Sequence, residues 1–240
     1  MEAPPTRHSV VAAVRSENAE IRRGGLDALV AVYWKPAYKY LRVKWRLSED
    51  DAKDATQEFF ARAIEKSFFD AFNPAKGRFR TFLRVCLDHF AANERKAASR
   101  LKRGGGVTMD PLDFETAEGE LRQHDVAVAA DVEEYFHREW VRSLLALAVD
   151  DLRDEYARLG KTLQFRAFER YDLDGPAAAT PLTYGDVARE LGVSATDVTN
   201  YLAAARRVFR QRLLDRLRSI CGDGYEFEAE ARQLLRDGRR

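Results

Sequence analysis

Residues 182–213 read LTYGDVARELGVSATDVTNYLAAARRVFRQRL, the pattern of two closely spaced helices joined by a tight turn. Ala188 stands four residues before Gly192, and Val198 stands six residues after it. Two helices that cross steeply need a small residue where they touch, a glycine in the turn and an aliphatic residue that packs the second helix. Ser194 is placed to cap that second helix. The stretch therefore predicts a helix-turn-helix.

The second helix of this motif separates apolar from polar residues. Spacings of three and four residues predict a buried face of Val198, Leu202, Ala205, Phe209 and Leu213. The predicted outward face consists of Thr196, Thr199, Asn200, Ala203, Arg206, Arg207 and Arg210. Threonine and asparagine reach base edges, and arginine suits phosphate contacts. We interpret this face as DNA-binding; the open alternative is an ordinary helical hairpin with a solvated basic face.

The rest of the 240-residue chain also shows helical periodicity, with no convincing run of alternating strand residues. Further helices are predicted over residues 26–46, 48–66, 79–101, 132–171 and 226–236. Pro36 marks a kink or break in the first of these, and Ser48 is a good N-cap for the next. The fold class expected is all-α, with two small helical domains joined by a linker and a helix-turn-helix in the C-terminal one.

The predicted division of the chain has five parts. They are an N-terminal segment (1–25), a helical domain (26–103), a linker (104–131) that can carry short helices, a helix-turn-helix domain (132–220) and a C-terminal extension (221–240).

Charge is sorted along the chain although the net charge is only +1. Residues 76–103 hold nine basic residues against two acids, and residues 206–218 hold six arginines against one acid. Residues 49–58 hold five acids and one lysine. Two basic blocks predict contacts with a polyanion, and the acidic block predicts a separate, cationic partner.

The acidic block lies on a predicted helix whose acids form a stripe. At 100° per residue, Asp51, Asp54 and Glu58 fall within about 60° of one another. The helix dipole favours acids in a first turn, which accounts for Asp51. It does not require Asp54 or Glu58, which lie one and two turns further on.

Phenylalanines and cations alternate after this helix. The aromatic residues are Phe68, Phe69, Phe72, Phe79, Phe82 and Phe90. The interleaved cations are Lys76, Arg78, Arg80 and Arg84. Flat rings suit unpaired bases and cations suit phosphates, so the segment predicts single-stranded nucleic-acid binding. Most of the rings are expected in the core, with Phe72 and Phe79 the ones expected at the surface.

These segments resemble region 2 of bacterial RNA polymerase sigma factors. The resemblance rests on DDAKDATQEFFARAIEK (50–66), FNPAKGRFRTFLRV (72–85) and ANERKAASR (92–100). The helix-turn-helix stands where region 4 would, and the order of motifs is similar to the extracytoplasmic-function (ECF) group. The resemblance covers roughly residues 26–103 and 133–218.

The resemblance implies three sets of contact residues. Those docking on core polymerase, at the β′ clamp, are Asp51, Asp54, Gln57 and Glu58. Those contacting the −10 element are Phe72, Asn73, Lys76, Arg78, Phe79, Arg80, Phe82, Arg84, His89, Asn93, Arg95 and Lys96. Those reading the −35 element are Thr196, Thr199, Asn200, Tyr201, Arg206, Arg207 and Arg210.

The implied function is that of a promoter-specificity subunit without enzymatic activity, cofactor or metal. Its expected partners are core RNA polymerase (β′ clamp and β flap) and promoter DNA, with an anti-sigma factor left open. Without an apolar segment of membrane-spanning length or a secretory signal, a cytoplasmic location is expected. The family often has Trp where Phe82 stands, and the extension 221–240 has no counterpart. It is interpreted as a packing helix, with contact to a regulator as the alternative.

Two other functions are alternatives to this one. One is a conventional helix-turn-helix regulator whose N-terminal domain binds an effector or forms a dimer. The other is an enzyme of nucleic-acid metabolism, against which stand the dispersed histidines and the lack of a phosphate-binding Gly-Lys loop.

Overall fold

The computed structural model describes residues 10–97, 112–123, 131–177, 181–221 and 224–237. Within these ranges the chain is helical and contains no strand, which confirms the all-α prediction. The helices are α1 (Val10–Val14), α2 (Ala19–Lys44), α3 (Glu49–Glu65), α4 (Phe79–Ala97), α5 (Phe114–Gln123), α6 (Val132–Arg158), α7 (Thr162–Phe168), α8 (Tyr184–Leu191), α9 (Ala195–Ile220) and α10 (Gly224–Asp237). Short 3-10 turns cover Phe68–Ala71, Pro74–Lys76 and Gly175–Ala177, and a π-helical turn covers Glu169–Leu173.

Several predicted bounds need correction. Helix α2 begins before residue 26, because the Asn18 side chain accepts hydrogen bonds from the backbone N–H groups of Glu20 and Ile21. It also continues through Pro36 without a break. The predicted end of the basic helix near residue 101, the glycine run at 104–106 and much of the predicted linker lie outside the described residues.

The chain divides into two compact units. The first comprises residues 1–143 and 217–240, and the second comprises residues 144–216. This division differs from the predicted domain boundaries, since the C-terminal extension is grouped with the first unit. None of the helices in the described part of the chain combines the length and apolar character needed to cross a membrane.

The first unit is built around aromatic residues of α2, α3 and α4. Tyr33 and Tyr38 of α2, Phe59 and Phe60 of α3, and Phe79 of α4 are almost completely buried. The rings of Tyr33 and Phe79 meet edge to face with centroids 5.7 Å apart. Aromatic pairs of this kind add about 0.5–1.5 kcal/mol beyond the burial of their area.

Helix α5, from the middle of the predicted linker, packs on α2. The Phe114 ring lies 5.4 Å from Trp34 and 5.2 Å from Tyr38 between centroids. The Glu118 carboxylate accepts hydrogen bonds from Arg42 at 2.7 Å and from the Tyr38 hydroxyl at 2.6 Å. The described part of the linker is therefore a docked helix.

The second unit contains the helix-turn-helix, α8 and α9. Gly192 adopts φ +68°, the left-handed conformation expected of the turn glycine. Ser194 caps α9 by accepting a hydrogen bond from Asp197 N at 3.1 Å. Val198, Leu202 and Ala205 are buried with residues of α6, α7 and α8, as the spacing predicted.

Candidate nucleic-acid interface

A cavity of about 480 Å³ opens between the end of α3, the following 3-10 turn and α4. Three residues predicted to contact nucleic acid line it: Phe82, His89 and Asn93. These stand seven and four residues apart on α4, so they share one face of the helix. The family resemblance implied these three residues as contacts to the −10 element, and in the structure they form one wall of the cavity.

The opposite wall was not predicted. It contains Arg62 and Lys66, from the end of α3, together with Phe68 from the turn. Arg62 and Lys66 stand four residues apart at the C-terminal end of a helix, and that spacing is the signal that could have found them. The Arg62 guanidinium lies 5.4 Å from the centroid of the Phe90 ring and pairs with Glu58 and Glu94.

The turn that bounds the cavity is fixed by Arg15 of the N-terminal segment. Its guanidinium donates to the carbonyl oxygens of Phe69 and Asp70 at 3.2 and 3.1 Å, and also to that of Phe72. Ser67, with φ +51°, turns the chain out of α3 and into this segment. The sequence carried no local signal for this contact, because the donor stands more than fifty residues before the acceptors.

The cavity has the chemistry of a site for an unpaired base. Phe68 and Phe82 are partly exposed, so ring surface remains for stacking. Asn93 offers an amide that both donates and accepts hydrogen bonds, and Lys66 offers a cation at the rim. The volume lies within the range of about 300–1,000 Å³ typical of small-molecule pockets.

The prediction that Phe72 and Phe79 lie at the surface is wrong. Their exposed fractions are 4% and 1%. The loop folds back on itself, and both rings pack with Phe69 and Phe82 in one aromatic cluster. The apolar surface of these rings is better buried than solvated, and the short 3-10 turns make that burial possible.

The polar residues of the loop divide into two groups. Asn73 and Lys76 are exposed, and the Asn73 side chain accepts a hydrogen bond from Ala75 N at 3.0 Å, which shapes the turn. Arg78 and Arg80 instead contact α10, where both donate to the Gln233 side-chain oxygen.

Arg80 is the most enclosed of the predicted basic contact residues. Its Nε lies 3.1 Å from Glu230 Oε1, its guanidinium lies 5.2 Å from the centroid of the Trp140 ring, and it also contacts His137. Burial lowers the pKa of the Arg80 guanidinium from its ordinary value, and Glu230 opposes this. The structure therefore does not present Arg80 to solvent.

Along α4 the remaining predicted residues differ in exposure. Arg84 is half-buried and pairs with Asp88 at 3.4 Å and with Glu133 at 3.5 Å. His89, Asn93, Arg95 and Lys96 are all exposed. The exposed basic side of α4 thus lies toward its C-terminal end.

The acidic stripe of α3 lies at the surface. Asp51, Asp54 and Gln57 are exposed, whereas Glu58 is half-buried and accepts from Arg62 at 2.5 Å. The Ser48 hydroxyl donates to the Asp51 carboxylate at 2.7 Å. Asp54 makes no hydrogen bond or ion pair with any described residue, so its carboxylate is available to a partner.

Six of the seven predicted −35 residues lie on the exposed side of α9, whereas Tyr201 packs against the buried residues of the second unit. Thr196, Thr199, Asn200, Arg206, Arg207 and Arg210 are exposed, and Tyr201 is half-buried. Arg206 forms a two-point ion pair with Asp172, at 2.9 Å from Nε and 2.7 Å from Nη2, which raises the pKa of the guanidinium. Asp172 lies in the π-helical turn Glu169–Leu173, and no sequence pattern identified it as a partner of Arg206.

Within the described residues, no three His, Cys, Asp or Glu side chains are grouped so that they could hold a metal ion. Comparisons with protein-family models, with curated proteins and with solved structures return no match.

Proposed function

We propose that the chain is a promoter-specificity subunit of bacterial RNA polymerase, a sigma factor similar to the ECF group. In this role it binds core polymerase, recognises the −35 and −10 elements and helps to separate the DNA strands. The observation that carries the proposal is the cavity beside α4, where partly exposed rings, an asparagine and cations meet. The exposed carboxylates of α3, next to it in sequence, provide the separate grip on the enzyme.

Strand separation would proceed by capture. Opening costs on the order of 1.4 kcal/mol for each stacked step of the duplex. Stacking an unpaired base on an aromatic side chain returns about 1–3 kcal/mol. Phe68 and Phe82 supply the stacking surfaces, Asn93 supplies hydrogen bonds to a base edge, and Lys66 neutralises a phosphate. No covalent step is required of this chain.

The acidic stripe would hold the enzyme. Asp54 is exposed and unengaged by described residues, and Asp51 and Gln57 are exposed beside it. A row of acids on one helix face matches a basic surface such as that expected on the β′ clamp. The exposed face of α9 would read the −35 element, with the second unit also reaching the β flap. Such a protein works in the cytoplasm, and an anti-sigma factor remains an open partner.

One observation favours a second function. The cavity is large enough for a small effector. A conventional helix-turn-helix regulator with an effector-binding N-terminal domain would bind its effector in this cavity. Such a regulator has no need of the acidic stripe, and this separates the two functions experimentally.

The test is capture of core RNA polymerase by the full chain. Charge reversal in Asp51→Lys/Asp54→Lys is expected to abolish capture. Glu20→Lys/Asp27→Lys is the matched control, because both acids are exposed on α2 and the change in net charge is the same. Circular dichroism verifies that both variants stay helical. Equal capture by the two variants would overturn the proposal, as would no capture by the wild type.

A further inference from the structure

Helix α10 presents a row of polar side chains to the start of α4. Glu226, Glu230 and Gln233 follow one another at spacings of four and three, so they share one face. Glu226 Oε1 accepts a hydrogen bond from the Phe79 backbone N–H at 2.7 Å. Glu230 Oε1 lies 3.1 Å from Arg80 Nε and 3.5 Å from Arg78 Nε.

The two acids on this face are buried. The exposed fractions are 8% for Glu226 and 2% for Glu230, whereas the Glu228 side chain on the same helix is 65% exposed. Carboxylates are costly to bury unless cations or hydrogen-bond donors meet them. A helix that served only to cover apolar surface would place apolar residues there. The charge on this face therefore requires a specific explanation.

The groups that Glu226 and Glu230 contact would equally suit a phosphate. Two guanidinium groups and a backbone N–H in the first turn of a helix form a typical environment for phosphate oxygens. The carboxylate oxygens of α10 occupy the positions beside these donors that phosphate oxygens would take. The residues concerned, Arg78 and the first two residues of α4, Phe79 and Arg80, are among those predicted to contact the −10 strand.

We propose that α10 is an autoinhibitory helix, which masks Arg78 and Arg80 with its own carboxylates until nucleic acid displaces it. This rests on the proposed function, since it assigns the masked surface to the promoter strand. In the masked state the phosphate contacts of Arg78 and Arg80 are closed, whereas the cavity beside α4 stays open. Promoter binding then requires α10 to leave the loop.

The contact is built so that it can be broken. Glu230 lies within ion-pair distance of both arginines, but neither of its carboxylate oxygens receives a well-aligned hydrogen bond from a described residue. Burial raises the pKa of this carboxyl above its ordinary value despite the two arginines. The ion pairs of a buried carboxylate held in this way offset little of the free energy that its desolvation costs. A polyanion that offers several phosphates can therefore compete with it.

The experiment measures the affinity of the full chain for a fluorescein-labelled single-stranded oligothymidylate by anisotropy. The variant Glu226→Gln/Glu230→Gln keeps side-chain volume and removes the masking charges. Its control, Glu115→Gln/Glu228→Gln, removes two exposed charges and changes the net charge equally. Glu226→Gln/Glu230→Gln is expected to bind about tenfold more tightly than the wild type, because the binding-competent fraction of the protein rises. The control is expected to change the affinity by less than about twofold.

A second pair of variants identifies the surface that is unmasked. Arg78→Gln/Arg80→Gln is expected to change the affinity of the wild-type chain little. When combined with Glu226→Gln/Glu230→Gln, it is expected to remove the gain in affinity. The proposal would be overturned if Glu226→Gln/Glu230→Gln bound the oligonucleotide no more tightly than the control. A gain that persists without the two arginines would also overturn it.

Hydrogen exchange on the wild-type chain tests the displacement of α10 without any substitution. At saturating oligonucleotide the amides of α10 are expected to lose protection, and unchanged protection would contradict displacement.

The tests of masking and of the proposed function can fail independently. Masking fails alone if core polymerase is captured but the α10 variants gain no affinity. If those variants gain affinity and core polymerase is not captured, the sigma-factor proposal fails and masking stands.

Discussion

The rings of Phe72 and Phe79 meet edge to face, with their centroids 5.1 Å apart. This pair closes the loop between α3 and α4 from the inside, so neither ring is free to stack on a ligand. Phe68 and Phe82, which line the cavity and stay partly exposed, are the rings left for that purpose. The aromatic residues of this segment therefore divide between a structural pair and a ligand-facing pair.

This division predicts different phenotypes for two alanine variants. Phe79→Ala removes a buried ring and is expected to lower the free energy of unfolding by about 3–5 kcal/mol. Phe82→Ala is expected to cost less than half as much, while reducing permanganate reactivity in the promoter bubble. Urea unfolding measures the first quantity. Equal destabilisation by the two variants would contradict the division.

The docking of α5 predicts a pH-dependent contribution to stability. Hydrogen bonds from Arg42 lower the pKa of Glu118 from its ordinary value of 4.5 to about 2, although burial opposes this. A lowered folded-state pKa means that the contribution is present above pH 4.5 and is lost as the pH falls towards 2.

Glu118→Gln is therefore expected to be less stable than the wild type at neutral pH. Their difference in unfolding free energy, from urea titrations, should shrink below pH 4.5. Glu115→Gln, at an exposed position on the same helix, is the control and should follow the wild type. A difference that stays constant with pH would show that the carboxylate is not the cause.

The helix-turn-helix turn predicts different outcomes for two glycines. Gly192 has φ +68°, so Gly192→Ala is expected to destabilise the second unit by about 1–2 kcal/mol. Gly185 lies inside α8, where an added Cβ would meet the Thr183 hydroxyl at an ordinary 3.6 Å. Gly185→Ala should be neutral or stabilising, by up to about 1 kcal/mol. Thermal unfolding compares the two, and equal melting temperatures would be inconsistent with the observed turn.

The exposed face of α9 predicts the salt dependence of duplex binding, given the proposed function. Arg207→Gln and Arg210→Gln should each reduce the slope of log K against log salt by roughly 0.9, the value for one phosphate contact. Arg212→Gln is the control, because Arg212 is already paired with Glu155 at 2.7 Å. A control variant that lowers the slope equally would show that the effect follows total charge instead of this face.

Local patterns allowed the helix-turn-helix to be predicted in detail. Its turn glycine, its Ser194 cap and the buried side of α9 depend on residues a few positions apart, and spacing reports such relationships. Contacts between distant residues were not predictable in this way. Arg42 and Glu118 are separated by 76 positions, and Arg78 and Gln233 by 155.

The prediction that Phe72 and Phe79 are exposed was wrong for a related reason. A loop rich in Asn, Pro and Gly indicates a surface turn, and that expectation was extended to its flanking rings. The structure shows polar loop atoms at the surface and the rings of Phe72 and Phe79 beneath them. Sequence alone gives no measure of how tightly a turn folds back.

The hydrogen bonds of Arg15 have a practical consequence for dissecting this protein. A fragment trimmed to begin at residue 26, where recognisable patterning starts, would leave three carbonyl oxygens in and after the turn beside the cavity without that guanidinium. Such a fragment could keep every residue thought to touch a ligand and still lose the shape that receives it. Truncation boundaries for this chain are therefore better chosen from its hydrogen bonds than from its motifs.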